Sequence, residues 1–141
     1  MDFIDNNRCF LCGKNNPYGF QLNFDREGDI TLASTQVPWH YQGFKGVVHG
    51  GIVASLLDEI MSQSIKNSGK FAVTGNLEVK YHRPCLTEKE LLVKGWIAEV
   101  SGRLIKAKGE VIQDEELKAE GEGLFIVPSK SRVIKTEDSG N

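Results

Sequence analysis

Val48-His49-Gly50-Gly51 leads directly into Ile52-Val53-Ala54-Ser55-Leu56-Leu57-Asp58-Glu59-Ile60, so two glycines open an apolar-periodic stretch that carries a carboxylate two turns inside it. The first turn of a helix leaves backbone N–H groups without internal acceptors, and those groups carry the positive end of the helix dipole. Glycine lets a ligand come close to them. Residues 50 and 51 therefore suit an anion, or the oxyanion that forms when a carbonyl is attacked. Asp58 is the group from which such a carbonyl would be attacked. Eight residues of α-helix rise about 12 Å at about 1.5 Å per residue, so one carbonyl cannot touch both groups. If they share a site, the helix start of one subunit meets the carboxylate of another, and function requires a homodimer.

The neighbouring Glu59 competes for the same role, and the helical wheel separates the two. At 100° per residue, Val53, Leu56, Leu57, Ile60 and Met61 fill one broad arc. Asp58 falls at its edge beside Ala54 and Ile65, whereas Glu59 falls with Ser55, Ser62 and Lys66 on the polar side and reads as solvated. A plain reading of Asp58 as an exposed helix residue bonded to a loop is outweighed by the double glycine ahead of it.

The elements that must position these groups follow from composition and period. At 141 residues and 40% hydrophobic, the chain can bury a single core. A balance of 17 basic and 19 acidic residues gives a net charge of -2, with no basic field to recruit nucleic acid. No apolar run approaches the roughly 20 residues of a membrane span. Met1 to Phe10 holds Asp2, Asp5 and Arg8 without a continuous apolar core, which argues against a secretory signal, and a cytoplasmic protein is expected.

Three cysteines cannot all pair, and reduced thiols are expected. Cys9-Phe10-Leu11-Cys12 has a spacing that could begin a zinc site, but a closed site needs about four donors, and Cys85, His40, His49 and His82 are what remain. The pair therefore reads as loop or buried cysteines near the domain start, with no metal expected.

Residues 1–19 read as a loop or cap, because Gly13 to Gly19 is dense in turn formers. A domain over 20–128 follows. Phe20, Leu22 and Phe24 alternate with polar residues and predict a first strand, and Arg26-Glu27-Gly28-Asp29 a turn into a second over Ile30 to Val37. Trp39 to Val48 suits a loop over something apolar. The helix is expected from about Ile52 to Asn67, stopping at Ser68-Gly69. Period two then runs to Arg83-Pro84, with Thr74 alternating on one face with Asn76. Leu91 to Val100, Leu104 to Gln113 and Leu117 to Val127 predict an antiparallel meander. The polar tail over 129–141 is expected to be unordered.

One central helix followed by a long antiparallel sheet, with His49-Gly50-Gly51, six residues and then Asp58, resembles the hotdog-fold acyl-CoA thioesterases, most nearly those of the phenylacetate-degradation type. Thr74-Gly75-Asn76-Leu77-Glu78-Val79-Lys80-Tyr81-His82-Arg83-Pro84 continues the likeness, which runs from about residue 9 to 127. It implies an α+β fold in which five to six antiparallel strands wrap the helix. It implies hydrolysis of an acyl-CoA to free acid and CoA, with Asp58 as nucleophile or base and the N–H of Gly50, aided by Gly51, polarising the thioester carbonyl across a dimer interface.

Some members have asparagine six residues before the histidine, where this chain has Gly43; Gln42, one position earlier, matches others as a holder of carbonyl or water. The likeness gives Thr74 an assisting hydroxyl and His49 a place in the site, chiefly as an anchor of the loop before the helix. It directs coenzyme A along Asn76 to Arg83 and toward the Ser101-Gly102-Arg103 turn, with Gly102 at the turn and the arginines meeting phosphates. Coenzyme A is then part of the substrate, with no separate cofactor, and the assembly is a dimer or more nearly a tetramer. Two rivals stand beside the hydrolase: a non-catalytic acyl-CoA sensor, and a hydratase or dehydratase of the same fold, which would need a differently placed histidine and carboxylate.

Overall fold

His49 starts the helix. Its Nδ1 accepts the N–H of Gly51 at 2.9 Å, satisfying one first-turn donor, and α1 (Gly50–Asn67) runs 18 residues from there. The helix ends where the Ser68 N–H and hydroxyl both return to the carbonyl of Ile65, and Gly69 follows at a φ of +86° that turns the chain away. The arc read from the wheel is the buried one: Val53, Leu56, Leu57, Ile60 and Met61 are all 3% exposed or less, and Ile65, read at its edge, is buried with them. Each such side chain contributes about 2 kcal/mol of transfer free energy on burial.

The computed structural model describes residues 1–136. Around the helix run β1 (Phe3–Asp5), β2 (Asp25–Glu27), β3 (Ile30–Gln36), a 3-10 turn at Trp39–Tyr41, β4 (Val73–Tyr81), β5 (Glu90–Ser101), β6 (Leu104–Gln113), β7 (Glu116–Ile126) and β8 (Val133–Lys135). Six of these strands form one antiparallel sheet in the order β2-β3-β5-β6-β7-β4. The meander over β5, β6 and β7 uses the short turns read from the sequence, and β4 lies at the sheet edge beside β7.

The sheet wraps closely round the helix because glycines stand where the two meet. Gly95, Gly109 and Gly121 are cross-strand neighbours on β5, β6 and β7. A Cβ at Gly95 would sit 2.9 Å from the carbonyl oxygen of Ile60, so any larger residue would push the helix off the sheet.

Two sequence expectations need correction here. Phe20 to Phe24 is not a sheet strand: the Phe20 and Leu22 N–H groups bond to the carbonyls of Phe10 and Leu11, so this segment pairs with the cysteine loop, and the sheet strand is Asp25–Glu27. The alternation there reports burial, with Leu22 4% exposed and Phe20 stacked on Tyr41, rather than a ladder. The tail expected to be unordered forms β8, which pairs in parallel with β1 in register Phe3↔Val133. Three residues, Val133-Ile134-Lys135, give too little periodicity to announce such a strand. Residues 137–141 of that tail lie outside the described residues.

Candidate functional site

The start of α1 opens on a cavity of about 580 Å³ with a largely apolar wall that includes Phe44, Val47, Val48 and Val53. Gly50 faces it, and among the described residues nothing accepts from the Gly50 N–H. Gly51 does not share that freedom: its N–H is taken by the ring of His49, so Gly51 is corrected from carbonyl donor to capped helix residue. His49 accordingly stands as the helix cap. Tyr81, which sequence reading passed over as a strand residue, fixes this corner by donating its hydroxyl to the Gly50 carbonyl at 2.7 Å. Gln42 lies on the loop before the helix, where its Oε1 accepts the N–H of Gly46 at 2.9 Å and holds the Gly43 to Val48 turn closed.

Two turns along α1, partly exposed Asp58 accepts a hydrogen bond at Oδ1 from the Thr74 hydroxyl at 2.7 Å. Strict alternation would have left Thr74 on the outer face with Asn76. A bulge at Gly75 changes this, because Thr74 pairs with Phe125 while Asn76 pairs with the next residue back, Leu124. Cross-strand partners share a face, so the extra residue rotates Thr74 onto the side of buried Phe125 and the helix. The glycine in the strand was the available signal.

The remaining candidates do not gather in one copy. Asn76 is exposed on β4. Arg83 borders the Gly50 cavity and pairs through Nε with Glu116 at 3.1 Å. Gly102 makes the β5 to β6 turn at a φ of +59°, and the Nε of Arg103 donates to the carbonyl of Val127 at 2.8 Å. The Arg83 N–H bonds to Lys118 while Arg103 bonds to Val127, placing the two arginines roughly 30 Å apart along β7 at about 3.3 Å per residue.

Glu59 reverses its sequence reading. It is 9% exposed, not solvated, because the Cys9-Phe10-Leu11-Cys12 loop covers the helix face turned away from the sheet. Burial, reinforced by the negative charge of Cys9, pushes the Glu59 carboxyl up to about 7. Cys9 is held down to about 5 by hydrogen bonds from the Cys12 thiol and from the Cys12 and Leu11 N–H groups, and Cys12 is pushed up by that same shared bond and by burial. Burial raises Cys85 as well, in the wall of the Gly50 cavity.

One helix wrapped by six antiparallel strands, with a capped glycine start and an aspartate inside the helix, is the hotdog arrangement, and solved structures share it. A crystal structure of a thioesterase superfamily protein superposes at a TM-score of 0.81 with 27% identity over 89% of this chain and 70% of that one. A Streptococcus mutans protein solved with acetyl CoA bound shares the fold at a TM-score of 0.71 and 20% identity, over 78% of this chain and 90% of that one. Residues 45–120, more than half of the chain, match the model of the Thioesterase superfamily, and the chain belongs to that family.

Among curated proteins, it is 29% identical over 111 residues to the mouse acyl-coenzyme A thioesterase THEM4, covering 77% of this chain and 48% of that protein. It is 30% identical over 95 residues to an uncharacterized protein of Schizosaccharomyces pombe, covering 62% of this chain and 54% of that one. The chain thus spans about half the length of the curated relatives it matches. Among the described residues, no helix is long and apolar enough to cross a membrane.

Proposed function

We propose that the protein hydrolyses acyl-CoA thioesters to a free acid and CoA, at a site built from Gly50 of one copy and Asp58 of another. The observation that carries this is the Gly50 N–H, which has no acceptor among the described residues and belongs to a residue that lines an apolar cavity at the positive end of α1. A thioester carbonyl bound there gains negative charge on oxygen as it is attacked, and a preorganised donor of this kind is typically worth about 3 kcal/mol in the transition state. Asp58 supplies the attack, either through its own oxygen, forming a mixed anhydride that a water then hydrolyses to the free acid and the regenerated carboxylate, or by taking the proton of a water that adds to the carbonyl carbon. The Thr74 hydroxyl fixes one carboxylate oxygen and leaves the other for the reaction. The CoA thiolate leaves and takes up a proton. Arg83, beside the cavity, is the phosphate partner within reach of the Gly50 end.

Strand β4 supplies a physical route to the shared site. It is a sheet edge, and within one copy Tyr81 near its end holds the Gly50 corner while Thr74 near its start holds Asp58. A second copy pairing antiparallel along that edge, about an axis near Leu77 and Glu78, brings the Tyr81 end of each strand against the Thr74 end of the other. Each helix start then faces the partner's carboxylate. A dimer of such pairs gives the expected tetramer. The names of the THEM4 relatives support an acyl-CoA substrate, and the order of the His-Gly-Gly, Asp and Thr motifs supports the phenylacetate-degradation type of the fold. Incubating the full chain with a panel of acyl-CoAs and a thiol-reactive dye tests the reading: thiol release with at least one of them is expected, whereas binding without release would make the protein a sensor and end the proposal.

A further inference from the structure

The second carboxylate of the helix stands in a different chemistry. Cys9, Cys12 and Glu59 offer three ligand atoms that all lie within 4.8 Å of one another, with Cys9 Sγ 3.8 Å from Glu59 Oε2. In a tetrahedral site with Zn–S near 2.3 Å and Zn–O near 2.0 Å, neighbouring ligand atoms are about 3.5–3.8 Å apart. The three donors therefore need only side-chain adjustment to share one ion.

The loop that carries the thiols is built rather than loose. The Gly13 N–H returns to the Cys9 carbonyl at 2.8 Å, and a Cβ at Gly13 would fall 2.4 Å from the Cys9 nitrogen, so the turn after Cys12 accepts glycine alone. The Leu11 N–H points at Cys9 Sγ at 3.4 Å, a contact that steadies a thiolate. Asn7 clamps the base of the loop, accepting the N–H of Asn15 at its carbonyl and that of Lys14 at its side chain.

From the helix side comes a carboxylate that is nine-tenths buried where an apolar residue would be less costly to bury. A divalent cation resolves that cost, since two thiolates and a carboxylate leave one excess negative charge beside Lys66. The trio borders a cavity of about 780 Å³ that Lys66 also lines, which leaves the fourth coordination position facing open space.

We propose that Cys9, Cys12 and Glu59 form a binding site for a thiophilic divalent cation of the zinc type, which ties the N-terminal segment to α1 with one position left for water or a further ligand. The site is separate from the thioester chemistry: its ligands lie on the helix face turned away from the sheet, and its test does not require turnover.

The test is a titration of the reduced, chelator-stripped full chain with Co²⁺. Thiolate-to-cobalt charge-transfer absorption that saturates at a single equivalent and disappears when Zn²⁺ is added is the expected result. Cys9→Ser and Cys12→Ser should each abolish the band, and Glu59→Gln should weaken affinity about tenfold or more while the thiolate band persists at saturating metal. Glu59→Gln also keeps the test informative if a cysteine variant folds poorly. Absence of the band in the wild type overturns the proposal, as does a band unchanged in both serine variants. Reduced protein that ignores Co²⁺ but loses two titratable thiols in air would also overturn it, identifying a disulfide pair instead.

Discussion

Asp58 and Glu59 are consecutive residues of one helix and chemically almost the same, yet about 100° of rotation gives them opposite surroundings. Asp58 leans to the sheet edge, partly exposed, tethered by the Thr74 hydroxyl and open to whatever pairs with β4. Glu59 turns away from the sheet and is enclosed by a loop fifty residues earlier in the chain, against two thiols. The pair shows that a helix in this architecture has two covered faces. The sheet covers one through periodic apolar contacts, and the N-terminal loop covers the other through a few hydrogen-bonded turns. A carboxylate between them stays partly exposed, whereas one beneath the loop is buried against the two thiols.

Substitutions separate these two environments, and the largest effect is expected at Asp58. D58N should lower turnover by orders of magnitude with little change in thermal midpoint; steady-state rates on the best acyl-CoA, measured with a melting curve, check both halves. Next comes Gly50→Pro. Residue 50 is the first helical position, where proline is tolerated, and His49 already has the extended φ of -57° and ψ of 136° that a residue before proline prefers. The substitution therefore removes the N–H with little other disturbance, and kcat should fall roughly a hundredfold. Gly50→Ala is its control: a Cβ there makes only ordinary contact with the Tyr81 ring at 3.6 Å, and the N–H remains. Thr74→Val should reduce kcat about tenfold by releasing one oxygen of Asp58, and Thr74→Ser should recover most of the loss. The smallest effect belongs to the other carboxylate's neighbourhood, where the C9S/C12S double variant should lose the rise in melting temperature that Zn²⁺ gives the wild type, read by calorimetry with and without chelator.

What the sequence disclosed follows from which forces are local. The helix, its apolar arc, the meander and the glycine start are written in period and turn chemistry, and those elements lie where they were read. The placement of Asp58 was legible too, because it sits at the edge of an arc that the wheel defines and is partly exposed there. Glu59 was misread because a wheel reports only one partner surface. Nothing periodic announces that Cys9 and Cys12 will close over the polar side. Thr74 was half legible: its hydroxyl suits the bond it makes to Asp58, but its facing depended on the bulge at Gly75, which strict alternation cannot carry. Gly51 failed for a reason of short range, since the ring of His49 reaches forward two residues and occupies the N–H that a ligand would need.

A mixing experiment bears most directly on the claim that each site draws Gly50 and Asp58 from different copies. D58N and Gly50→Pro proteins, each at about a hundredth of wild-type activity or less alone, are combined in equal amounts and allowed to exchange subunits. In a symmetric dimer with shared sites, every mixed pair contains one site carrying both defects and one carrying neither, so random exchange should restore about a quarter of wild-type activity. If subunits demonstrably exchange and activity stays at the level of the separate variants, the two groups do not meet across an interface and the account is wrong.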